Sequence, residues 1–506
     1  MPAYPGFVGA AYEAQSPLAD GERTVNWYVE RTEAAGASAP LALYPTPGVD
    51  LLALAPDAPG RGTLTAQNRI FGVFGTTFCE LDPVSFDVTT RGTVAADTNP
   101  ATLCWNGDGG GQVFITSGDN GYIFDLQGNT FTQVRTGATT MGVHLDGYFI
   151  ALDAATSTIY LSDLLDGTTW DPTQYAQRST ASDPWVSMAV LDRYLYLFGT
   201  QTSEVWYDAG AFPFPFQPHP SGLMPVGCAA PFSVRVAGNT LLWLGATRDG
   251  KGQVYRASGF TPEPAGTFAL ATALEQYGVV SDGIADSYTD QGHTFYLLTL
   301  PAAGVTWALD VTSTLQLDTA ARWTERGTWD SAAQRFTASR VAFHLYVPFT
   351  SDHLVLDRDG AGVYRLTATS ARDVTGASMR RVRRAPALFA DNRWVTVPSF
   401  ELLLEPGLAP AAISTTALAG VAIAGIAVCG VTAGDASDPQ VSLRISPDGG
   451  KTWGTERWRS AGAQGRYGTR LRWLRNGRAR RWMPEVVVSD AVPWRLLGAV
   501  VEGLSS

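Results

Sequence analysis

Cysteine and histidine are scarce in this sequence, at four and five of 506 residues. Cys79, Cys104, Cys228 and Cys429 stand far apart without CxxC spacing, which speaks for free, mostly buried thiols and against a disulfide framework. His144, His219, His293, His344 and His353 are scattered, and no two have ligand spacing with a third partner, so neither a metal site nor any other cofactor is expected. Charge is thin too, at 16% of residues, but with 45% hydrophobic residues the chain can bury a large core and is no disordered tail. The opening Met1-Pro-Ala-Tyr-Pro-Gly6 is not a charged-then-apolar signal segment. One apolar run, Ala417–Val428, is built of small residues and falls short of the roughly 20 residues of a membrane span. No span is expected; the run belongs in the fold or in an oligomer interface.

What the sequence does have is a repeated unit. From Arg61 to Leu366, a Gly, Asp or Asn turn leads into an apolar–aromatic strand, then a polar turn and a second strand, seven times over. Arg69-Ile-Phe-Gly-Val-Phe74 with Thr77-Phe-Cys-Glu-Leu81 is the first copy, and Val341-Ala-Phe-His-Leu-Tyr-Val347 with Val363-Tyr-Arg-Leu366 the last. Strands recurring at roughly 40–50 residues indicate an antiparallel β-propeller, one four-stranded sheet per blade. Each blade packs on both faces, so its strands can be apolar throughout. Asp-Gly and Gly-Asn recur because tight hairpin turns need φ > 0. The expected fold is all-β: a propeller of six or seven blades over 61–370, plus a second β-rich domain built from 1–60 and 371–506. The alternative is an irregular β-sandwich.

Between the fourth and fifth copies lies Ala211-Phe-Pro-Phe-Pro-Phe-Gln-Pro-His-Pro220, which cannot join a central ladder. It reads either as a binding arm or as a connector packing phenylalanines under the propeller rim. Met379-Arg-Arg-Val-Arg-Arg384 is a short basic run, and from Gln440 onward twelve Lys or Arg against five Asp or Glu give +7, leaving −18 for residues 1–439. An acidic body with a basic end suggests partners at that end.

The final segment carries the sharpest motif. Ser446-Pro-Asp-Gly-Gly-Lys-Thr-Trp453 fits the Asp-box pattern S-x-D-x-G-x-T-W at Ser446, Asp448, Gly450, Thr452 and Trp453. This is a hairpin device: Asp448 accepts from turn amides, Gly450 takes φ > 0, and Trp453 packs beneath. Such boxes are structural, so one box speaks for a hairpin and hardly at all for an enzyme.

Two blocks resemble a known family. Asn26-Trp-Tyr-Val-Glu30 followed by Leu43-Tyr-Pro-Thr-Pro-Gly48 resembles the opening of the packaged-DNA stabilisation proteins of short-tailed phages, which form the tail tube or nozzle. Glu204-Val-Trp-Tyr-Asp-Ala-Gly210 is similar to the family as well. At the other end the order Asp-box, Glu456-Arg-Trp458, Gly465-Arg-Tyr-Gly-Thr-Arg470, the arginine run ending at Arg481, and Glu485-Val-Val-Val-Ser-Asp490 resembles it again. The run from Ala417 to Cys429 departs from the family in being so apolar.

The resemblance implies a structural virion protein of the phage tail, made in the host cytoplasm. It implies a homo-hexameric ring below the portal and adaptor that extends the DNA channel, helps retain packaged DNA, and docks tailspikes or fibres. Double-stranded DNA would pass transiently without sequence-specific binding. The alternative is a carbohydrate-active propeller, either a sialidase-like glycosidase or a glycan-binding module. A glycosidase needs an arginine cluster, a tyrosine nucleophile and carboxylates spread over several blades. The repeated polar sites are Asp-Gly turns, which hairpins explain, and no Ser-His-Asp order, P-loop or dinucleotide fingerprint occurs. No catalytic residue is therefore expected. The candidate protein interface is Trp458, Arg470, Arg472, Trp473, Arg478 and Trp482, since arginine mixed with aromatics is the composition of interface hot spots.

Overall fold

A computed structural model describes residues 2–32, 39–212, 214–247, 250–312, 323–391, 393–408 and 438–502. The apolar run 417–429, with Cys429, lies outside the described residues. Two compact units emerge: Leu51–Ala321 with Ala338–Arg365, and Met1–Asp50 with Arg322–Thr337 and Leu366–Ser506.

The first unit is a propeller of seven sheets. Blade 1 is Gly60–Ala66, Arg69–Phe74, Thr77–Leu81 and Val88–Thr93, hydrogen-bonded in that order. Blades 2, 3 and 4 repeat the four-strand meander, starting at Thr102, Met141 and Trp185, and blade 5 follows from Gly227. Blade 6 contributes Ile284–Asp290, His293–Leu300 and Val305–Asp310 to this unit. Blade 7 is Val341–Val347, Asp352–Asp357 and Gly362–Thr367, and its outermost strand is Gly48–Leu54 from the start of the chain. That borrowed strand closes the ring, with Ala55 N donating to Ala361 O at 2.9 Å.

The innermost strands neighbour one another in sequence order and return from blade 7 to blade 1. Side chains bridge them to backbone. Thr102 Oγ1 accepts from Gly142 N at 2.8 Å, Ser187 Oγ donates to Pro231 O at 2.6 Å, and Ser287 Oγ to Val236 O at 2.7 Å. Thr63 Oγ1 closes the circle on Phe343 O at 3.0 Å. Between blades the core is aromatic: Phe71 and Phe78 of blade 1 meet Phe124 of blade 2 edge-on at 5.5 and 5.4 Å. Burying each such ring contributes about 2–3 kcal/mol. Both residues have φ > 0 in the turns Gln67–Asn68, Asp146–Gly147, Asp192–Arg193 and Gln291–Gly292, of which only Asp146–Gly147 is an Asp-Gly pair; of the Gly-Asn pairs, Gly128–Asn129 has φ > 0 at Asn129 and Gly238–Asn239 at Gly238.

The second unit is a β-sandwich. One sheet runs Trp323–Asp330, Gly21–Val25, Arg381–Arg384, Arg481–Val488, Gln440–Ser446, Arg457–Ser460. The other runs Trp27–Arg31, Leu41–Pro45, Leu496–Glu502, Ser399–Leu404, Leu471–Leu474. Tyr4, Phe7, Trp27, Leu43, Phe400, Leu443, Trp473, Trp482 and Val486 fill the space between them. The two chain ends are thus halves of one core. Trp323–Asp330 belongs to this unit, although by sequence position it falls inside the span read as propeller.

The Phe/Pro stretch divides. From Phe216 it is a strand, Phe216–Met224, pairing antiparallel with Ser203–Asp208 as the outer edge of blade 4. Prolines 218 and 220 fit there because an edge strand needs no outward donor. Of the remainder, Phe212 is 96% exposed and Pro213 lies outside the described residues.

Candidate interaction surface

The Asp-box forms the connection between Gln440–Ser446 and Arg457–Ser460, an antiparallel hairpin. Asp448 Oδ1 accepts from Lys451 N and Thr452 N, both at 2.9 Å, and Oδ2 accepts from Thr452 Oγ1 at 2.6 Å. Ser446 Oγ lies 2.7 Å from Asp448 Oδ1 and accepts from Gly450 N at 2.7 Å. Gly450 has φ 101°. Burial works to raise the Asp448 pKa, but the hydrogen bonds from Thr452, Ser446 and Lys451 outweigh it and hold the carboxyl at about 2. The carboxylate is occupied as a turn anchor.

Trp453 lies on the outer face of the sheet, against Arg384 and Arg444 at 4.8 and 5.1 Å. Both arginines pair with the buried Glu485 beneath. In register with Arg384 is Arg23, which pairs with Glu325 at 2.7 Å. An Arg–Glu–Arg–Arg–Glu row therefore crosses five strands. The basic run at 379–384 splits by strand alternation: Arg384 lies on this outer face, while Arg381 and Arg383 are buried. Burial, reinforced by the positive charge of Arg326, pushes Arg381 down to about 10.

The candidate interface residues part company in the same way. Trp473 and Trp482 are fully buried, with indole N–H groups donating to Arg457 O at 2.8 Å and Asn476 O at 3.0 Å. They are core residues of the sandwich and not interface anchors. Along Leu471–Leu474 the alternation turns leucine and tryptophan inward and Arg472 outward. Arg470 makes a two-pronged pair with Glu401 at 2.7 and 2.6 Å, and Arg472 donates to Ser399 Oγ at 2.7 Å and pairs with Glu502. These arginines meet carboxylates of their own chain, where the sequence reading looked to a neighbour. Trp458 and Arg478 are exposed.

Arg478 opens onto a feature that the sequence reading missed. Arg478 and Arg480 both lie over the indole of Trp394, at 5.1 and 5.2 Å, and Arg481 lies over Phe389 at 4.7 Å. Trp394 and Phe389 are 44% and 51% exposed. With Pro2, Pro5, Leu388 and Val501 they line a groove of about 370 Å³. Among the described residues no carboxylate pairs with Arg478 or Arg480. The signal available in sequence was Trp394 itself, a tryptophan just before the short strand Val395–Thr396. Elsewhere the described residues hold no cluster of three or more His, Cys, Asp or Glu suited to a metal ion. Among the described residues no helix is long and apolar enough to cross a membrane.

Residues 24–371 match the family model described as bacteriophage P22 Gp10, β-propeller, and residues 380–493 match that described as bacteriophage P22 Gp10, β-sandwich. No curated protein matches the chain. Among solved structures it is similar to the N-terminal domain of Nup159, at 11% identity and TM-score 0.39 over 68% of this chain and 98% of that one. It is also similar to a Lactobacillus plantarum protein, at 12% identity and TM-score 0.38 over 64% of this chain and 94% of that one.

Proposed function

This chain belongs to the bacteriophage P22 Gp10 family of phage tail structural proteins, and we propose that it is a ring-forming nozzle subunit that extends the DNA channel below the portal and adaptor. In this reading it helps retain packaged DNA and docks tailspikes or fibres, and it has no enzymatic activity. The observation that carries the reading is the family match over both units, which spans the propeller and the sandwich alike.

Charge supports it. Counted from the sequence, the propeller unit carries −15 and the sandwich unit +4, which together make the chain's −11. An acidic propeller suits a passage that must not hold phosphates, because every cation facing duplex DNA adds non-specific affinity through counterion release. A basic sandwich suits protein contacts. The carbohydrate-active alternative has less to stand on: the Asp-box uses its carboxylate to brace a turn.

Electron microscopy and light scattering of the purified protein test the reading, beside a panel of glycosidase substrates. Closed rings without turnover are expected. A monodisperse monomer that hydrolyses sialosides would sink it.

A further inference from the structure

The groove at Trp394 has the make-up of a binding site. Exposed tryptophan and arginine are the residues most enriched in interface hot spots. Here two arginines stack on one exposed indole, and a third covers Phe389 beside it. Stacking fixes the guanidinium planes before anything binds, which lowers the ordering cost of association. The small or rigid lining of Pro2, Ala3, Pro5 and Ala390 leaves a space of about 370 Å³, enough for one or two large side chains. The occupant should bring a bulky apolar group, and the rim asks that it come from a negatively charged body.

The chain itself supplies both. Phe212 is 96% exposed at the outer edge of blade 4, on the unit that carries −15, and Pro215 and Asp208 lie close by in sequence. The turn before it is braced, with Gly210 N donating to Asp208 Oδ1 at 2.8 Å and Ala209 N to Pro215 O at 2.8 Å. An aromatic that follows a hydrogen-bonded turn loses less freedom when it docks than one on an unbraced segment. Phe268 is nearly as exposed, at 87%, but it stands at the start of the helix Phe268–Gln276, whose first turn holds no acidic residue, and the positive end of a helix suits a basic rim poorly.

We propose that the Trp394 groove seats the Phe212 tip of a second copy of this chain. The contact is head-to-tail, sandwich of one copy to propeller of the next, the kind that closes into a ring when the rotation permits. It rests on the ring reading above and assigns the surface by which copies meet.

Sedimentation of Trp394→Ala, Phe212→Ser, the double variant and Phe268→Ser against wild type provides the test. Each of the first two should raise the concentration at half-assembly by about tenfold or more, the scale of one lost hot spot. The double variant should shift it by no more than the larger single effect, because each change removes the same contact. Phe268→Ser should leave it unchanged. Since Trp394 and Phe212 are exposed, melting temperatures serve as the folding control. A second readout needs no equilibrium: Phe212→Cys mixed with Ala390→Cys should form a covalent heterodimer on mild oxidation, and neither variant should do so alone.

Wild-type rings with variants that assemble unchanged, or with additive shifts and no cross-link, would overturn the groove assignment and leave the ring reading standing. A wild type that stays monomeric at its highest soluble concentration would overturn both.

Discussion

Arg383 pairs with Glu22 across 361 residues of sequence and ties the two ends of the chain together inside the sandwich. Its guanidinium also donates to Phe7 O at 2.5 Å, Gly6 O at 2.8 Å, Thr24 Oγ1 at 2.9 Å and Ala10 O at 3.1 Å. One buried cation thus satisfies the carbonyls of an N-terminal stretch that forms no regular strand. Removing one partner of a buried pair leaves the other uncompensated, at a cost of about 3–5 kcal/mol. Arg383→Met should lower the urea midpoint of the sandwich accordingly and expose residues 4–10 to hydrogen exchange. A loss under about 1 kcal/mol would mean that water replaces the guanidinium at little cost.

The propeller should be acid-labile through His344. Its Nε2 lies 2.8 Å from His353 Nδ1, so the two rings share one hydrogen bond, with Tyr288 and Tyr346 packed around them. Burial pushes His344 down to about 4; Asp286 opposes this, while His353 and Arg235 add to it. The folded pKa is below the unfolded value near 6.5, so the unfolded chain binds more protons between the two. Stability should fall as pH drops from about 6.5 to about 4, by up to about 1.4 kcal/mol per pH unit. Urea midpoints measured across that range should lose this slope in His344→Gln. An unchanged slope would place the acid sensitivity elsewhere.

Asp448 titrates with the same sign over a lower window. Its folded pKa of about 2 is below the usual value of about 3.9, so the stability it contributes is complete above about pH 4 and lost as pH falls towards 2. The residue is partly exposed and its bonds are confined to one turn, so Asp448→Ala should cost only about 1 kcal/mol. Its amide-exchange signature should be local, confined to the turn at 447–456. Faster exchange throughout the sandwich would give the box a larger structural role.

The propeller was legible in sequence where strands are buried on both faces. Arg69–Phe74 and Thr77–Leu81 appear at the bounds read from the apolar pattern. Their neighbour Val88–Thr93 is polar and half-exposed, and nothing in its composition separates it from a loop. In the last copy Asp352–Asp357 went unread, so strands one and three were taken as consecutive; its Asp-His start hides an apolar centre. The arginine–tryptophan segment failed for a different reason. Alternation at 470–474 was read as a composition, but on a strand it is a direction, with Trp473 inward and Arg472 outward. The groove at Trp394 was not legible, because it gathers Pro2, Phe389, Trp394, Arg478 and Val501 from four distant stretches.

Duplex DNA should find little to hold on this protein. The −15 propeller repels phosphates, and Arg470 and Arg472 already have carboxylate partners that screen them. What remains are exposed cations of the sandwich unit with no carboxylate partner among the described residues, including Arg478 and Arg480 beside the groove, and Lys451, Arg459, Arg466 and Arg475, of which two to four are expected to meet one duplex. Neutralising Z phosphates gives a slope of about −0.9Z for log affinity against log salt, so two to four contacts predict about −2 to −4 and binding that is negligible at physiological salt. Stacking of the indole on bases would add affinity only for unpaired strands, which a passing duplex does not present. Anisotropy titrations of a labelled duplex at several salt concentrations check this. The variant Arg478→Glu with Arg480→Glu should flatten the slope by about 2, whereas Arg470→Glu should leave it nearly unchanged. A slope steeper than about −6 that survives the double reversal would require a continuous cationic track, and a passage that grips its cargo.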